Sequence, residues 1–325
     1  MAITLRDIAK RTGVSHATVS FALNHRMDVN IPDSTRQRII DAAAEMGYRP
    51  NRAARALMRG KTQQIALWMP SPRNPYYGSV FDTVFSALRE REHDIAFAPA
   101  DYTSPTPFPS DWPVDGLIAW DTGPLLERET PPSMPIVSVG ALVDERFDTV
   151  RTDLRVGTWA ALDHLRDIGC KRVAHLLSMQ SAPPRNDPRT DAFCTEMERR
   201  GIEPEMIVAG NPNPATIVTA VTAHIERFGA PDAIFCRSDM IALPCLTAIR
   251  KAGLRVPEDI AVIGFDGLEF LDYSNPSLTS IEQPVEQIAK IAVERLFARM
   301  ADNTIPVWSE LVTPKLVIRE STSRA

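Results

Sequence analysis

From Gln63 onward, hydrophobic positions come in short runs that alternate with longer amphipathic segments. The runs, which are apolar on both faces, are IALWM, IAFAP, GLIAW, PIVSVG, RVAHLL, AIFC and IAVIGF. Hydrophobic residues recur at helical spacing over 78–92, 154–169, 190–201, 214–228 and 239–252. Strands that are apolar on both faces are typical of parallel sheets covered by helices. The pattern therefore predicts an α/β core made of two doubly wound parallel-sheet units.

The last part of the chain continues this pattern, and one earlier segment interrupts it. A helix is expected from Pro284 to about Met300, followed by a returning strand over LVTPKLVIRE at 311–320. The segment from Tyr102 to Pro113 contains four prolines and leaves no room for helical turns. We therefore expect no helix between the second and third strands.

The first 48 residues show helical spacing without such runs. Leu5, Ile8 and Ala9 lie on one face of a short helix, and Gly13 suits a turn with positive φ. Ser15 is a good N-cap for a second helix. Two helices joined in this way form a helix-turn-helix, whose second helix enters the DNA major groove by its N-terminus. The alternative is an ordinary helical hairpin buried in a larger domain.

A third helix, predicted from Asp33 to Met46 and ended by Gly47, would close an all-α headpiece. The charge distribution favours DNA binding by this part of the chain. Residues 1–61 hold 11 Lys and Arg against 5 Asp and Glu, whereas the remainder holds 25 against 36. Only the N-terminal part therefore has the positive balance that a DNA-binding surface needs.

The run LRDIAKRTGVSHATVSFALN, followed by IPDSTRQRIIDAAAEMGYRPNRAARALMRGKT, resembles the lactose-repressor (LacI/GalR) family of bacterial transcription regulators. Later segments resemble it too, namely SPRNPYYGSVFDTV, VRTDLRVGTWAALDHL, AIFCRSDMIALPCLTAIRKAGLRVPEDIAVIGFDG and PSLTSIEQP. The resemblance spans essentially the whole chain. It implies a periplasmic-binding-protein-like core, in which two lobes share crossovers and close on an effector.

The resemblance divides the chain into three parts. Residues 1–48 would form the DNA-binding headpiece, 49–61 the hinge helix or linker, and 62–325 the effector-binding core. Within the core, lobe 1 would contain about 62–160 with 284–312, and lobe 2 about 161–283 with 313–325. We expect a homodimer, because the chain stops without the tetramerising tail of some relatives.

The resemblance places base readout at the start of the second helix. The headpiece residues that it assigns to DNA are Thr4, Leu5, Arg6, Ser15, His16, Ala17, Thr18, Ser20, Phe21 and Asn24. His16, Ala17 and Phe21 would reach bases, and the polar residues around them suit phosphates and caps. Phe21 departs from the family pattern, since relatives more often carry a basic or hydrogen-bonding side chain there. Its ring edge would pack on a thymine methyl group instead.

Between headpiece and core, the resemblance implies a hinge helix that orders on DNA and pairs with its symmetry mate. Its DNA-binding residues would be Asn51, Arg52, Ala54, Arg55 and Leu57. Leu57 matches the leucine that wedges into the central step of the operator's minor groove, and Ala54 matches the small residue at the pairing contact. Such a wedge unstacks a base step at a cost of roughly a few kcal/mol and kinks the duplex. The alternative is a linker whose one leucine is tucked into the core.

In open α/β sheets, ligands bind at the carboxyl ends of the strands, so residues that follow the apolar runs are candidates for effector binding. These candidates are Ser71, Asn74, Tyr76, Tyr77, Trp120, Asp121, Asp153, Arg189, Phe235, Ser238, Asp239, Asp266 and Gln283. Aromatic rings beside charged groups suit a sugar or sugar derivative, since rings stack on C–H faces and charged groups bind hydroxyls.

Arg189 and Asp266 are the strongest of these candidates. For the aromatic candidates Trp120 and Phe235, as for Tyr76, the alternative is core packing at a strand end. For Asp239 the alternative is that it caps the helix that follows it.

The chain lacks the motifs of common enzymes. It contains no G-x-S-x-G, no glycine-rich phosphate loop and no H-E-x-x-H, and its six histidines fall into no ligand spacing. Cys170, Cys194, Cys236 and Cys245 form no Cys-x-x-Cys pair and are expected to be buried, reduced thiols. No apolar run reaches membrane-spanning length, and the N-terminus lacks the apolar core of a signal peptide. We therefore expect a cytoplasmic protein with no enzymatic activity, no metal and no cofactor apart from a small-molecule effector.

These expectations combine into one mechanism. A homodimer is expected to bind a near-palindromic operator and to repress transcription. An effector bound between the lobes would change the stability of hinge pairing and so release or promote DNA binding. Two rivals would share the same core. One is an exported solute-binding protein, which would have no use for a basic headpiece. The other is a regulator whose core senses a nucleoside, a phosphorylated metabolite or a partner protein.

Overall fold

The computed structural model describes residues 3–24, 29–48, 60–100, 112–127, 134–178, 187–211 and 213–323. The chain divides into two compact units, residues 1–62 and 63–325. The predicted hinge residues Asn51, Arg52, Ala54, Arg55 and Leu57 lie outside the described residues, as does 101–111 of the proline-rich segment. Their assignments therefore stay predictions.

The first unit contains the predicted helix-turn-helix and its third helix. These helices are α1 (Leu5–Thr12), α2 (His16–Leu23) and α3 (Asp33–Glu45). Gly13 ends α1 with φ 68°, and Ser15 Oγ accepts a hydrogen bond from Thr18 N at 3.1 Å to cap α2. Ile8, Val19 and Ile39, one from each helix, are fully buried together. The predicted headpiece fold is confirmed.

The first sheet of the core defines lobe 1. Its strands are β1 (Gln64–Met69), β2 (Asp94–Pro99), β3 (Gly116–Trp120), β4 (Ile136–Val139), β5 (Asp148–Thr152) and β11 (Ser309–Val312). They run parallel in the order β11-β5-β4-β3-β1-β2. The accompanying helices are α4 (Pro75–Arg89), α5 (Gly123–Leu126) and α10 (Val285–Ala301).

The second sheet defines lobe 2. Its strands are β6 (Val173–Ser178), β7 (Glu205–Ala209), β8 (Ala233–Cys236), β9 (Ala261–Asp266), β10 (Thr279–Glu282) and β12 (Lys315–Val317). Their order is β12-β10-β9-β8-β6-β7, with only β12 antiparallel to its neighbour among these strands. The accompanying helices are α6 (Leu154–Asp167), α7 (Pro188–Arg199), α8 (Pro214–Phe228) and α9 (Asp239–Lys251). The predicted fold of two doubly wound parallel-sheet lobes is confirmed.

The chain passes between the two sheets after β5, after β10 and between β11 and β12. The segment 311–320, predicted as one strand, is therefore two: β11 pairs with β5 in lobe 1, and β12 pairs with β10 in lobe 2. Thr313 and Pro314 separate the two strands. Pro314 lacks the N–H that a continuous strand would use, which explains the break.

Helix α6 corrects the predicted boundary between the lobes. That boundary, at residue 160, falls inside α6, yet the helix packs on lobe 2 from Leu154 onward, with Phe265 and Ile281 in the same buried cluster. Gly157 explains the close fit, because a Cβ there would lie 2.9 Å from Ile281 and from Pro314. The division between the lobes therefore lies before α6.

Candidate DNA-binding surface and ligand site

The N-terminus of α2 presents a polar, exposed surface. Ser15, His16 and Ala17 are exposed there, and the hydroxyls of Ser15 and Thr18 lie 2.8 Å apart. Thr4 and Arg6 are also exposed, and the carboxylate of Asp7 accepts hydrogen bonds from the backbone N–H and the hydroxyl of Thr4. This arrangement leaves the start of α2 open to a DNA groove.

Other predicted DNA contacts are less exposed. Leu5 and Phe21 are half-buried and pack against the headpiece core, so part of each side chain has a structural role. Asn24 is the C-cap of α2, where its side-chain amide donates to the backbone oxygen of Ser20 at 2.8 Å. Ser20 is half-buried beside it.

In the core, a chain of polar contacts joins the carboxyl ends of strands from both lobes. Tyr76, near the start of α4 in lobe 1, donates its hydroxyl hydrogen to Gln283 Oε1 at 3.3 Å. Gln283 Nε2 in turn donates to Asp266 Oδ1 at 2.9 Å, at the end of β9. Arg189 Nη1 lies 3.8 Å from that same oxygen. Four of the predicted effector-binding residues are therefore brought together.

Asp121 holds a second group of contacts on the lobe 1 side. Its Oδ1 accepts hydrogen bonds from the backbone N–H groups of Ala141 and Leu142, and its Oδ2 accepts one from the Tyr77 hydroxyl at 3.0 Å. Burial raises the pKa of Asp121 above its ordinary value, against these hydrogen bonds and the charge of Arg189. The charge of Arg189, in lobe 2, therefore acts on the carboxyl group of Asp121, in lobe 1.

Arg189 is fixed by Asp187, a residue that the sequence analysis did not identify. Its Nε and Nη2 donate to the two carboxylate oxygens of Asp187 at 2.9 Å and 2.8 Å. Burial raises the pKa of Asp187, but the charge and hydrogen bonds of Arg189, with the charge of Arg237, outweigh burial and hold the pKa well below its ordinary value. Arg189 also stacks over Phe265, with 5.3 Å from its guanidinium carbon to the ring centroid. This bidentate pair keeps the guanidinium in one orientation.

Arg237 lies directly after β8, inside the stretch 235–239 that the strand-end rule selects, although it was not among the named candidates. Its Nη1 lies 3.6 Å from Asp187 Oδ2, and its Nη2 lies 3.5 Å from Ser178 Oγ at the end of β6. Asp187 was missed because it does not directly follow a strand: β6 ends at Ser178, and Asp187 caps α7.

Asp239 does not line the site, and it is not the cap of α9. It is completely buried, its Oδ2 accepts from the N–H groups of Gly267 and Leu268 at 2.8 Å and 3.0 Å, and its Oδ1 accepts from Ser280 Oγ at 2.6 Å. Ser238 occupies the N-cap position instead. Asp239 therefore braces the loop that follows Asp266, which corrects both interpretations of this residue.

The braced loop holds Asp266 in an uncommon backbone conformation, with φ 125°. Only glycine fits at position 267, where φ is 76°, because the Cβ of any other residue would lie 2.5 Å from the Cα of Glu282. Burial, and then the charge of Asp239, raises the pKa of Asp266 to about 8. Burial also raises the pKa of Asp239, to about 7, against three hydrogen-bond donors that stabilise its charged form, so we assign the proton of this carboxyl pair to Asp266.

The remaining candidates have structural roles. Phe235 is completely buried and stacks against His175 in the lobe 2 core, with 5.0 Å between the ring centroids, so it does not line the site. Trp120 is also completely buried, in lobe 1. For Phe235 the core-packing alternative is correct in this structure, whereas Trp120 lies beside the Tyr76 hydroxyl and its role in effector binding stays a prediction.

Polar candidates near helix starts act as caps. Asn74 caps α4 by accepting from Tyr76 N at 3.1 Å, and Asp153 caps α6 by accepting from Val156 N at 3.1 Å. Ser71 is exposed, and its Oγ accepts from Arg73 N at 3.3 Å. These residues position the helices that border the site.

The described residues contain no group of three or more His, Cys, Asp and Glu side chains arranged to hold a metal ion. Within the same ranges, no helix has both the length and the apolar character needed to cross a bilayer. The four cysteines are buried, as predicted.

Comparison with known proteins fits this arrangement. Residues 4–51 match bacterial regulatory proteins of the lacI family, and residues 162–322 match a periplasmic binding protein-like domain. The HTH-type transcriptional repressor PurR of Aliivibrio fischeri (strain ATCC 700601 / ES114) is 30% identical over 98% of this chain and 98% of its own. The chain belongs to the lacI family of bacterial regulatory proteins.

Other relatives of this lacI-family protein support the same assignment. The ribose operon repressor of Halalkalibacterium halodurans is 25% identical over 98% of this chain and 97% of its own. The structure of a transcriptional regulator CelR–cellobiose complex is similar with a TM-score of 0.69 and 26% identity, covering 98% and 99% of the two chains. The lac repressor dimer bound to operator and the anti-inducer ONPF shares the fold, with a TM-score of 0.84 and 22% identity over 99% of each chain.

Proposed function

We propose that this lacI-family protein is a dimeric repressor that binds a near-palindromic operator and responds to a sugar or sugar derivative bound between its lobes. The observation that carries the ligand site is the polar chain from Tyr76 through Gln283 and Asp266 to Arg189. It joins strand ends of both lobes, which is where open α/β sheets bind ligands.

The DNA-binding half of the proposal rests on the exposed start of α2. His16 and Ala17 are free of the headpiece core and are the residues that we assign to base readout. Ser15, Thr18 and Arg6 are assigned to phosphates. Leu57 of the hinge is assigned to the minor-groove wedge on the sequence alone.

Ligand recognition is assigned to groups with complementary roles. Arg189 supplies fixed N–H donors, and Asp121 supplies acceptor oxygens. Asp266 supplies an acceptor and, when protonated, a donor. Tyr76 stays a donor, because burial, followed by the charge of Asp121, raises its pKa well above the ordinary value. Such a mixture of donors and acceptors suits hydroxyl groups, each of which both donates and accepts.

Operator selection tests the first half of the proposal. The full chain is incubated with random duplex DNA, and bound sequences are amplified and aligned. A two-fold symmetric consensus is expected, because a symmetric dimer reads two half-sites. An enriched sequence without two-fold symmetry, or no enrichment above competitor DNA, would contradict a dimeric operator-binding function.

A thermal-shift screen against sugars, sugar acids, polyols, nucleosides and amino acids tests the second half. A ligand that binds the folded core raises its melting temperature. A hit must then change the affinity for the selected operator, since coupling between the two sites is reciprocal. A ligand that binds the core and leaves operator affinity unchanged would refute its role as effector.

A further inference from the structure

Arg237 is the least satisfied charged group of the ligand site. Its contact with Asp187 Oδ2, at 3.6 Å, is longer than a hydrogen bond, and its contact with Ser178 Oγ, at 3.5 Å, is at the limit. A guanidinium carries five N–H donors. Within the described part of the chain, no other carboxylate lies in ion-pair range of Arg237. Its side chain is 26% exposed, so the unfilled donors can be reached by a ligand in the site.

The one carboxylate near Arg237 is already engaged. Both oxygens of Asp187 accept hydrogen bonds from Arg189 at 2.9 Å and 2.8 Å. Two guanidinium groups therefore share one carboxylate, whose hydrogen bonds go to Arg189 and not to Arg237. Burial, and then the charge of Arg189, lowers the pKa of Arg237, against the charges of Asp187 and Asp266.

The other carboxyl groups of the site are directed to other donors. Asp266 lies 3.8 Å from Arg189 Nη1 and accepts from Gln283 Nε2 at 2.9 Å. Asp121 directs its two oxygens to the N–H groups of Ala141 and Leu142 and to the Tyr77 hydroxyl. The unfilled donors of Arg237 therefore lie on the lobe 2 side, beside Ser178.

We propose that the ligand of this site is an anionic polyol, whose carboxylate or phosphoryl oxygens bind Arg237 and the free edge of Arg189. This inference rests on the proposed ligand site and specifies its ligand class. The hydroxyls of the same ligand face Gln283, Asp266 and Asp121. A neutral sugar offers Arg237 only hydroxyl oxygens, whereas an oxyanion supplies charged acceptors for the donors that Asp187 does not fill.

Stability without any ligand tests the premise first. Arg237→Gln removes a half-buried charge whose N–H donors are largely unfilled, so this variant should melt at a higher temperature than the wild type in chloride buffer at pH 7. Arg255→Gln is the matched control, because Arg255 is an exposed arginine already paired with Asp259 at 3.2 Å. It should not raise the melting temperature. A lower melting temperature for Arg237→Gln than for the control would overturn the premise that the donors of Arg237 are unfilled in the free protein.

Matched ligand pairs then test the anion itself. D-gluconate is compared with D-glucitol, D-glucose 6-phosphate with D-glucose, and inorganic phosphate with chloride at equal ionic strength, each by thermal shift and calorimetry. We expect an anion to bind on the order of 10- to 100-fold more tightly than its neutral counterpart, the range of a charge-assisted hydrogen bond. A carboxylate preference would assign the ligand to the sugar acids, and a phosphate preference to the phosphorylated sugars.

The variants decide whether the preference comes from this site. Arg237→Gln should abolish the preference for the anion, and Arg255→Gln should keep it. Tighter binding of the neutral members, or no response to any anion that depends on Arg237, would overturn the proposal. Operator selection separates this failure from failure of the proposed function. If a symmetric operator is enriched but the effector is neutral or a nucleoside, the proposed regulatory function stands and the anionic ligand is refuted. If an anion binds but no operator is enriched, the proposed regulatory function is refuted.

Discussion

Replacing Asp266 by Asn tests whether the buried carboxyl of the ligand site carries a proton at neutral pH. An exposed Asp titrates near 3.9, whereas burial and the charge of Asp239 raise the pKa of Asp266 to about 8. The folded protein therefore keeps a proton that the unfolded chain has already lost. Asn has nearly the same size, does not titrate in this range, and keeps an oxygen that accepts from Gln283 Nε2.

The size of the effect follows from proton linkage. Between about pH 5 and pH 8 the folded wild type binds close to one proton more than the unfolded chain, so its free energy of unfolding falls by about 1.4 kcal/mol per pH unit as the pH rises. Because the group begins to lose its proton near pH 8, the fall over this interval is on the order of 3 kcal/mol. Asp266→Asn lacks this loss. Its stability relative to wild type should therefore increase by that amount from pH 5 to pH 8.

Urea unfolding followed by tryptophan fluorescence measures this difference. All five tryptophans of the chain lie after residue 62, so their fluorescence reports the core and not the headpiece. Asp82→Asn, at an exposed position on α4, is the matched control and should show no pH-dependent difference. If the free-energy difference between Asp266→Asn and wild type is the same at pH 5 and pH 8, Asp266 is not protonated at neutral pH and the reasoning fails.

Three further substitutions test other parts of the molecule. Asp148→Ala should destabilise the core by about 3 to 5 kcal/mol, because it leaves two arginines without their buried partner. These are Arg295 and Arg299, which lie 3.0 Å and 2.6 Å from the carboxylate. A loss below about 1 kcal/mol in urea unfolding would contradict this role. Arg189→Lys should weaken effector binding about 10-fold or more in calorimetry, because an ammonium cannot reproduce the bidentate pair with Asp187. Operator affinity without effector should stay within about twofold of the wild-type value. Unchanged effector affinity would show that Arg189 does not bind the effector. Leu57→Ala should weaken specific operator binding in fluorescence anisotropy and leave non-specific binding nearly intact; equal loss of both would rule out the minor-groove wedge.

Hydrophobic pattern predicted most of the fold because buried parallel strands leave a clear signal. The pattern missed β5, β7 and β10, and polar residues explain β5 and β10. β5 reads DTVRT and begins with Asp148, whose charge is buried only because Arg295 and Arg299 pair with it from α10. β10 reads TSIE, and Ser280 is buried because it donates to Asp239. These partners are distant in the sequence, so no local pattern reveals that the polar residues are satisfied.

The ligand site was predicted less evenly than the fold. The strand-end rule found Tyr76, Asp121, Arg189, Asp266 and Gln283, which the structure brings together. It failed for Phe235, because β8 extends to Cys236 and Phe235 is still inside the strand. A shift of one residue in a strand end reverses the face on which a side chain lies. Sequence pattern locates such ends only to within a few residues.

The Tyr76–Gln283 hydrogen bond shows how a ligand would act on the arrangement of the lobes. Tyr76 belongs to α4 of lobe 1. Gln283 directly follows β10 of lobe 2, and only Pro284 separates it from α10, which packs on lobe 1. The 3.3 Å contact exists only when the lobes are this close. A ligand that donates a hydrogen to Gln283 Oε1 competes with Tyr76 and favours separation, whereas one that bridges Tyr76 and Asp266 favours closure. Since only a difference in affinity for the two arrangements couples the sites, we expect the group that the ligand presents at Gln283 to determine which arrangement of the lobes it favours.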